Sequence, residues 1–176
     1  MGTRNLVGVK QNQKWKIAQY GQWDGYPEGQ GAIVLDFLKL FNLQSFAEKL
    51  QNCKFVDKAR IRECWVEVGD SPNNTSGFVD YKLVEAFNAK FPALSRDTGA
   101  KVLELVMRST GEVELFDDSA FLKDTLFCEF AYIIDLDVNQ LLCYAEGDTQ
   151  RWGCYPLDAL PTIEQMQADY ENFTKQ

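Results

Sequence analysis

The chain has 176 residues, 45% hydrophobic, 13% aromatic and 25% charged, with a net charge of −8. That length fits one domain, expected to span residues 1–176, and the composition excludes a disordered tail, a collagen-like fibre and a disulfide-dense miniprotein. The apolar runs at residues 31–35 and 131–134 are far too short to span a membrane, and no basic-then-apolar start resembles a signal peptide, so a cytoplasmic protein is expected.

In chain order, residues 4–10 have the branched apolar character of a strand, and Gln11, Asn12 and Gln13 are polar enough to turn the chain. Trp15, Ile17 and Gln19 then alternate with Lys16 and Ala18, completing an N-terminal hairpin. A glycine-rich loop follows, with Gly21, Gly25, Gly29 and Gly31. Residues 32–41 are apolar nearly all round and predict a buried helix. Asn42 ends it, and a second helix turns Phe46 and Leu50 inward. Asp57 is placed to cap a helix in which Ile61, Cys64, Trp65 and Val68 recur at helical spacing. Residues 69–77 predict a flexible loop. Val84, Phe87 and Phe91 mark a further helix, stopped by Pro92. Ser95 is expected to cap the next, with Asp97 in its first turn and Val102, Leu103, Leu105 and Val106 on its apolar face. Residues 128–135 and 140–145 read as a second hairpin. Thr162 and Gln165 form a capping box for a closing helix with Ile163, Met166, Tyr170 and Phe173 on one side. A lone hairpin is marginal in water, so both hairpins are expected in one antiparallel sheet packed against several helices: an α+β fold.

Charge and side-chain inventory narrow the chemistry. Residues 111–148 carry ten acidic groups against Lys123 alone. So one-sided a segment repels phosphate backbones, and no direct nucleic-acid binding is expected. It offers either an acidic docking surface, through Glu112, Glu114, Asp117 and Asp118, or a solvated rim that keeps the protein soluble. The chain has no histidine, which removes Ser-His-Asp and Cys-His mechanisms and His-based metal motifs. The five cysteines, Cys53, Cys64, Cys128, Cys143 and Cys154, form no C-x-x-C pair and read as buried free thiols of a reducing cytosol.

Residues 19–31 are the strongest oddity, setting large aromatics, amides and carboxylates among four glycines. Glycine permits close backbone approach, while Trp and Tyr supply flat faces with one polar end. Such a loop can present a recognition surface, or offer an anion the N–H groups of the helix that starts near Gly31. In its plain structural reading the aromatics pack on the sheet and the glycines allow turns. Arg96 and Asp97 can face this loop and bind a polar ligand, or Ser95 and Asp97 can simply cap a helix. Asp135, Asp137 and Asn139 begin like a calcium loop but lack its glycine and closing glutamate, so they read as a hairpin turn and no metal is expected.

Five strings occur in order: Met1-Gly2-Thr3-Arg4-Asn5-Leu6, residues 19–31, Leu94-Ser95-Arg96-Asp97-Thr98-Gly99, residues 131–137 and Leu157-Asp158-Ala159-Leu160-Pro161. With them the chain resembles, over most of its length, a family of uncharacterised proteins from bacteria, their phages and some fungi. The resemblance implies a shared fold and a shared loop surface, and carries over no catalytic residue.

The leading expectation is a binding or interaction protein that acts without covalent chemistry and without a cofactor. Gln19, Tyr20, Gln22, Trp23, Asp24, Tyr26 and Glu28 form its contact surface, joined by Arg4, Arg96 and Asp97. A protein, a small polar ligand or a second copy of the chain is the expected partner, and a membrane is not. For a phage or mobile-element gene, the partner becomes a host defence protein that this chain inhibits. The runner-up is a small histidine-free hydrolase working through Asp24, Glu28 and Asp97, since two carboxylates with separated pKa values can do acid–base work.

Overall fold

Strand patterns at both ends and helical patterns between them are reproduced in a computed structural model of the chain, which describes residues 2–74 and 79–175. β1 (Asn5–Gln11) and β2 (Lys14–Gly21) form the first hairpin. Its turn residues Asn12 and Gln13 both have positive φ, 55° and 58°, the hand that matches strand twist. The second hairpin pairs β5 (Phe130–Asp135) with β6 (Gln140–Ala145), and a strand that the alternation did not reveal, β7 (Gln150–Pro156), extends it. In sheet order these strands run β2-β1-β5-β6-β7.

The two hairpins meet through β1 and β5, and that one joint is parallel. Burial on both faces explains why these strands are central. Val7 and Val9 with Phe130, Tyr132 and Ile134 enter the main core, while Leu6 with Ala131 and Ile133 enter a smaller cluster on the opposite face. Parallel pairing requires a long crossover, which the helical middle of the chain supplies.

Over the main face lie α1 (Ala32–Leu40), α2 (Leu43–Lys49), α5 (Val102–Arg108) and α6 (Ile163–Thr174). They bring Leu35, Phe46, Leu103, Val106 and Met166 into the core, each at most 1% exposed. Asn42 caps α2 by accepting the Ser45 N–H at 2.9 Å. The closing capping box is complete, with Gln165 N–H to Thr162 Oγ1 at 3.2 Å and Thr162 N–H to Gln165 Oε1 at 2.8 Å.

α3 (Lys58–Glu67), capped by Asp57, and α4 (Tyr81–Lys90) stack Trp65 on Phe87 with ring centroids 4.0 Å apart. Beside them β3 (Cys53–Val56) and β4 (Val113–Phe116) make a small parallel sheet, too short to show as a pattern in the sequence. Of the expected loop at residues 69–77, residues 75–77 lie outside the described residues. Asp70 within it is buried and ion-paired to Arg62 at 2.6 Å. Among the described residues no helix is long and apolar enough to cross a membrane.

Two local expectations are corrected. Ser95 caps no helix: its Oγ accepts the Asp97 N–H at 3.1 Å within a turn, and α5 starts seven residues later, after a 3-10 turn at Gly99–Lys101. Asp97 is therefore free of the helix and points elsewhere. The thiols are all free, with Cys64, Cys128 and Cys143 buried, but Cys154 is exposed because β7 is an edge strand. Burial pushes the Cys128 thiol up to about 12 and the Cys53 thiol up to about 11, so both stay protonated and unreactive.

Candidate functional site

The loop at residues 19–31 is built around two buried amides. Asn5, fully buried near the start of β1, donates from Nδ2 to the carbonyls of Thr3 and Gly21 at 3.3 Å and of Trp23 at 3.1 Å. Gln30 donates to the Trp23 carbonyl at 3.2 Å and accepts the Ala100 N–H at 2.7 Å, tying the loop to the 3-10 turn that leads into α5. Beneath them the Tyr132 hydroxyl donates to the Gly25 carbonyl at 2.8 Å from the middle of β5. Among the glycines of this loop and of residues 95–100, space is tightest at two. A Cβ on Gly29 would lie 2.1 Å from the Asp24 carbonyl oxygen, and one on Gly99, whose φ is +51°, would lie 2.4 Å from Gln30 Oε1.

The loop then interlocks with residues 95–97. Gln19, 5% exposed, donates to the Ser95 carbonyl at 2.9 Å. Gln22 N–H donates to the Arg96 carbonyl at 3.2 Å, and Gln22 Oε1 accepts from both the Tyr20 hydroxyl at 2.6 Å and Arg96 Nη2 at 3.0 Å. The Trp23 indole N–H reaches Asp97 Oδ1 at 3.1 Å, while Asn88 Nδ2 holds Asp97 Oδ2 at the same distance. Arg96 and Asp97 do face the loop, and the groups they bond there belong to the loop itself.

The helix N-terminus expected near Gly31 is occupied. Residues Pro27–Gly31 form a π-helical turn that runs straight into α1, and the N–H groups of Gly29, Gln30 and Gly31 are taken by carbonyls of Asp24 and Tyr26. The amides at Gly29, Gln30 and Gly31 are therefore used within the turn and are not offered to an anion.

The three carboxylates of the hydrolase reading are divided between clefts. Asp24 and Glu28 line a shallow cleft of about 450 Å³ with Tyr26 and Asp36. Asp97 lines a cleft of about 580 Å³ with Trp23, Trp65, Phe87 and Arg96, and touches a larger one of about 870 Å³ between α1 and α5. Neither of Asp97's clefts includes Asp24 or Glu28. Among the described residues no group of three His, Cys, Asp or Glu side chains could hold a metal ion. Tyr26 meets Phe130 at 5.7 Å between centroids and remains 47% exposed; Trp23 is 49% exposed. Arg4 pairs with Glu129 at 3.8 Å and lies over the Phe127 ring, 4.4 Å off, while its charge still reaches Tyr20.

The acidic stretch is divided among separate local partners. Glu114 accepts Arg60 Nε at 3.0 and 3.1 Å, and Glu112 pairs with Lys54 at 3.7 Å. Asp117 accepts the Ser119 N–H of a local turn. Asp118 lies along the free edge of β2, accepting the Tyr20 N–H at 3.2 Å and donating its own N–H to Ala18. Burial and the neighbouring Asp117 charge raise the Asp118 carboxyl to about 6 against the pull of the Tyr20 N–H. Burial also raises the Tyr20 hydroxyl, opposed by Arg96 and Arg4.

Sequence reading missed Asn5, Gln30 and Asn88. A polar residue inside an apolar strand was the available signal for Asn5, since a buried amide must find partners. No family model matches the chain, and no match is found among curated proteins or solved structures.

Proposed function

We propose that the protein works by non-covalent recognition, with residues 19–31, locked against residues 95–100, as its contact face. One observation carries this reading. The loop's amides, with Arg96 and Asp97, are already bonded into a fixed frame, on which Trp23 and Tyr26 stand about half exposed at 49 and 47%. Rigid aromatics supply contact area at low entropic cost, because little motion is lost when a partner arrives. Free thiols suit a reducing, cytoplasmic location. For a phage-borne gene the reading takes the form of an inhibitor that occupies a host defence protein.

The test compares immobilised wild type with a Trp23→Ala/Tyr26→Ala variant in host lysate. Wild type should retain a partner at about micromolar concentration, and the variant, still folded by its thermal midpoint, should lose it by about tenfold or more. Equal retention by both, or retention by neither, overturns the reading. Asp24 and Glu28 share a cleft, and this alone favours the hydrolase alternative. Sustained turnover by wild type, abolished in Asp24→Asn, would put that alternative first.

A further inference from the structure

Beside the contact face, and sharing Gln19, Tyr20 and Arg96 with it, a cleft of about 250 Å³ opens between the end of β2, the first turn of α3 and the end of β4. It is smaller than the roughly 300–1,000 Å³ of sites that bury drug-sized ligands, so its occupant is compact. Ile61, Leu94 and Phe116 make an apolar wall, and Lys58 and Arg96 bring two cations. Most cations in this region have acidic partners: Arg60 has Glu114 and Glu67, Arg62 has Asp70, and Lys90 has Glu67. Lys58 has no ion pair or hydrogen bond among the described residues, and Arg96 bonds only the neutral Gln22 amide. Two cations without an ion pair, faced by the single carboxylate of Asp118, leave a net positive cleft beside an apolar wall in an otherwise acidic protein.

We propose that this cleft binds a compact organic anion, its carboxylate or phosphate held by Lys58 and Arg96 and its apolar body resting on Ile61, Leu94 and Phe116. Charge-assisted hydrogen bonds from a guanidinium and an ammonium supply most of the affinity, and the apolar wall selects against a bare inorganic ion. The site stands whether or not the Trp23 and Tyr26 face engages a macromolecule. Asp118 also lines it and makes occupancy depend on pH. Its carboxyl, raised to about 6, faces the Tyr20 N–H from β2 and the Asp117 charge on its own segment, with Lys58 and Arg96 across the cleft. Ionised, it repels the ligand; protonated, it does not. For a carboxylate ligand, whose own charge is constant in this range, affinity therefore rises as pH falls through about 6.

Calorimetric titration with benzoate, phenyl phosphate and inorganic phosphate at constant ionic strength tests this. Benzoate or phenyl phosphate should saturate one site, the tighter of the two naming the head group, and inorganic phosphate should bind about tenfold or more weakly. Lys58→Met should weaken the better probe about tenfold, Arg96→Met likewise, and Lys14→Met, exposed at the start of β2, not at all. Asp118→Asn should tighten binding at about pH 7.5 and flatten the pH dependence. Lys58 holds nothing else in place, so its variant folds. Unchanged binding in Lys58→Met, no saturation by about 10 mM of either organic probe, or equal affinity for inorganic phosphate overturns the proposal.

Discussion

Residues 19–31 and residues 111–148 both stand out in the sequence, one for glycines among aromatics and amides, the other for ten acids against Lys123 alone. They fold in opposite ways. In the first, side chains reach across the chain, Gln22 to Arg96, Trp23 to Asp97, Gln30 to Ala100, and a scattered composition becomes one rigid face. In the second, carboxylates are used one at a time. Asp117 and Asp124 cap turns, Asp137 accepts the N–H groups of Asn12 and Gln13 in the first hairpin turn, and Glu112, Glu114 and Glu129 pair with Lys54, Arg60 and Arg4. Charge density along a chain does not measure charge on a surface, because neutralising cations arrive from elsewhere in sequence. Amides between glycines inform better, since the N–H groups of a buried amide need acceptors, as Asn5 Nδ2 has although its Oδ1 stays unpartnered, and they find them only if the loop closes on itself.

That contrast can be broken by substitution, and Asn5 is where it should break most. Asn5→Ala removes the donor shared by three carbonyls and should cost about 2–4 kcal/mol in urea unfolding, with Trp23 emission shifting as the loop loosens. A loss below about 0.5 kcal/mol would mean that the frame does not depend on its buried amides.

Asp118 should behave as an intermediate case, and with the reverse sign. Its carboxyl titrates near 6 in the fold and near 3.9 in an unfolded chain, so the folded protein holds the proton more tightly. Stability from this group is complete below about pH 4 and falls as pH rises through about 6. Asp118→Asn, which can still accept the Tyr20 N–H, should therefore stabilise the protein by about 1–2 kcal/mol at neutral pH and leave it unchanged near pH 4. Thermal midpoints measured across that range decide the matter.

The smallest effect belongs to the acidic rim. Glu112 and Lys54 are both about 60% exposed at 3.7 Å, and Glu112→Gln should move stability by no more than about 0.5 kcal/mol, less still in high salt. A larger change would show that the acidic stretch acts as a unit after all.

Much of the fold was legible because its signals are local. Both hairpins, the capped starts of α3 and α6, and the inward residues Phe46, Leu50 and Met166 follow from alternation, helical spacing and cap chemistry. β7 was not legible because Gly153 and an exposed edge blur its alternation. β3 and β4 escaped because four-residue strands leave almost no period to read. Ser95 misled because a serine two residues before an aspartate suits a turn as well as a helix cap, and Gly99 with its positive φ chose the turn.

The sequence by itself determined the α+β class, the segments that become sheet and helix, and, through the missing histidines, which mechanisms are closed to the molecule. Only the tertiary structure decided that β1 lies parallel to β5, that Gln22 and Trp23 bond Arg96 and Asp97, and that Lys58 and Arg96 share a cleft with Asp118. The division has a physical reason. Periodicity and caps act between residues a few positions apart, whereas a hydrogen bond across 74 positions exists only where packing of the core brings two segments together.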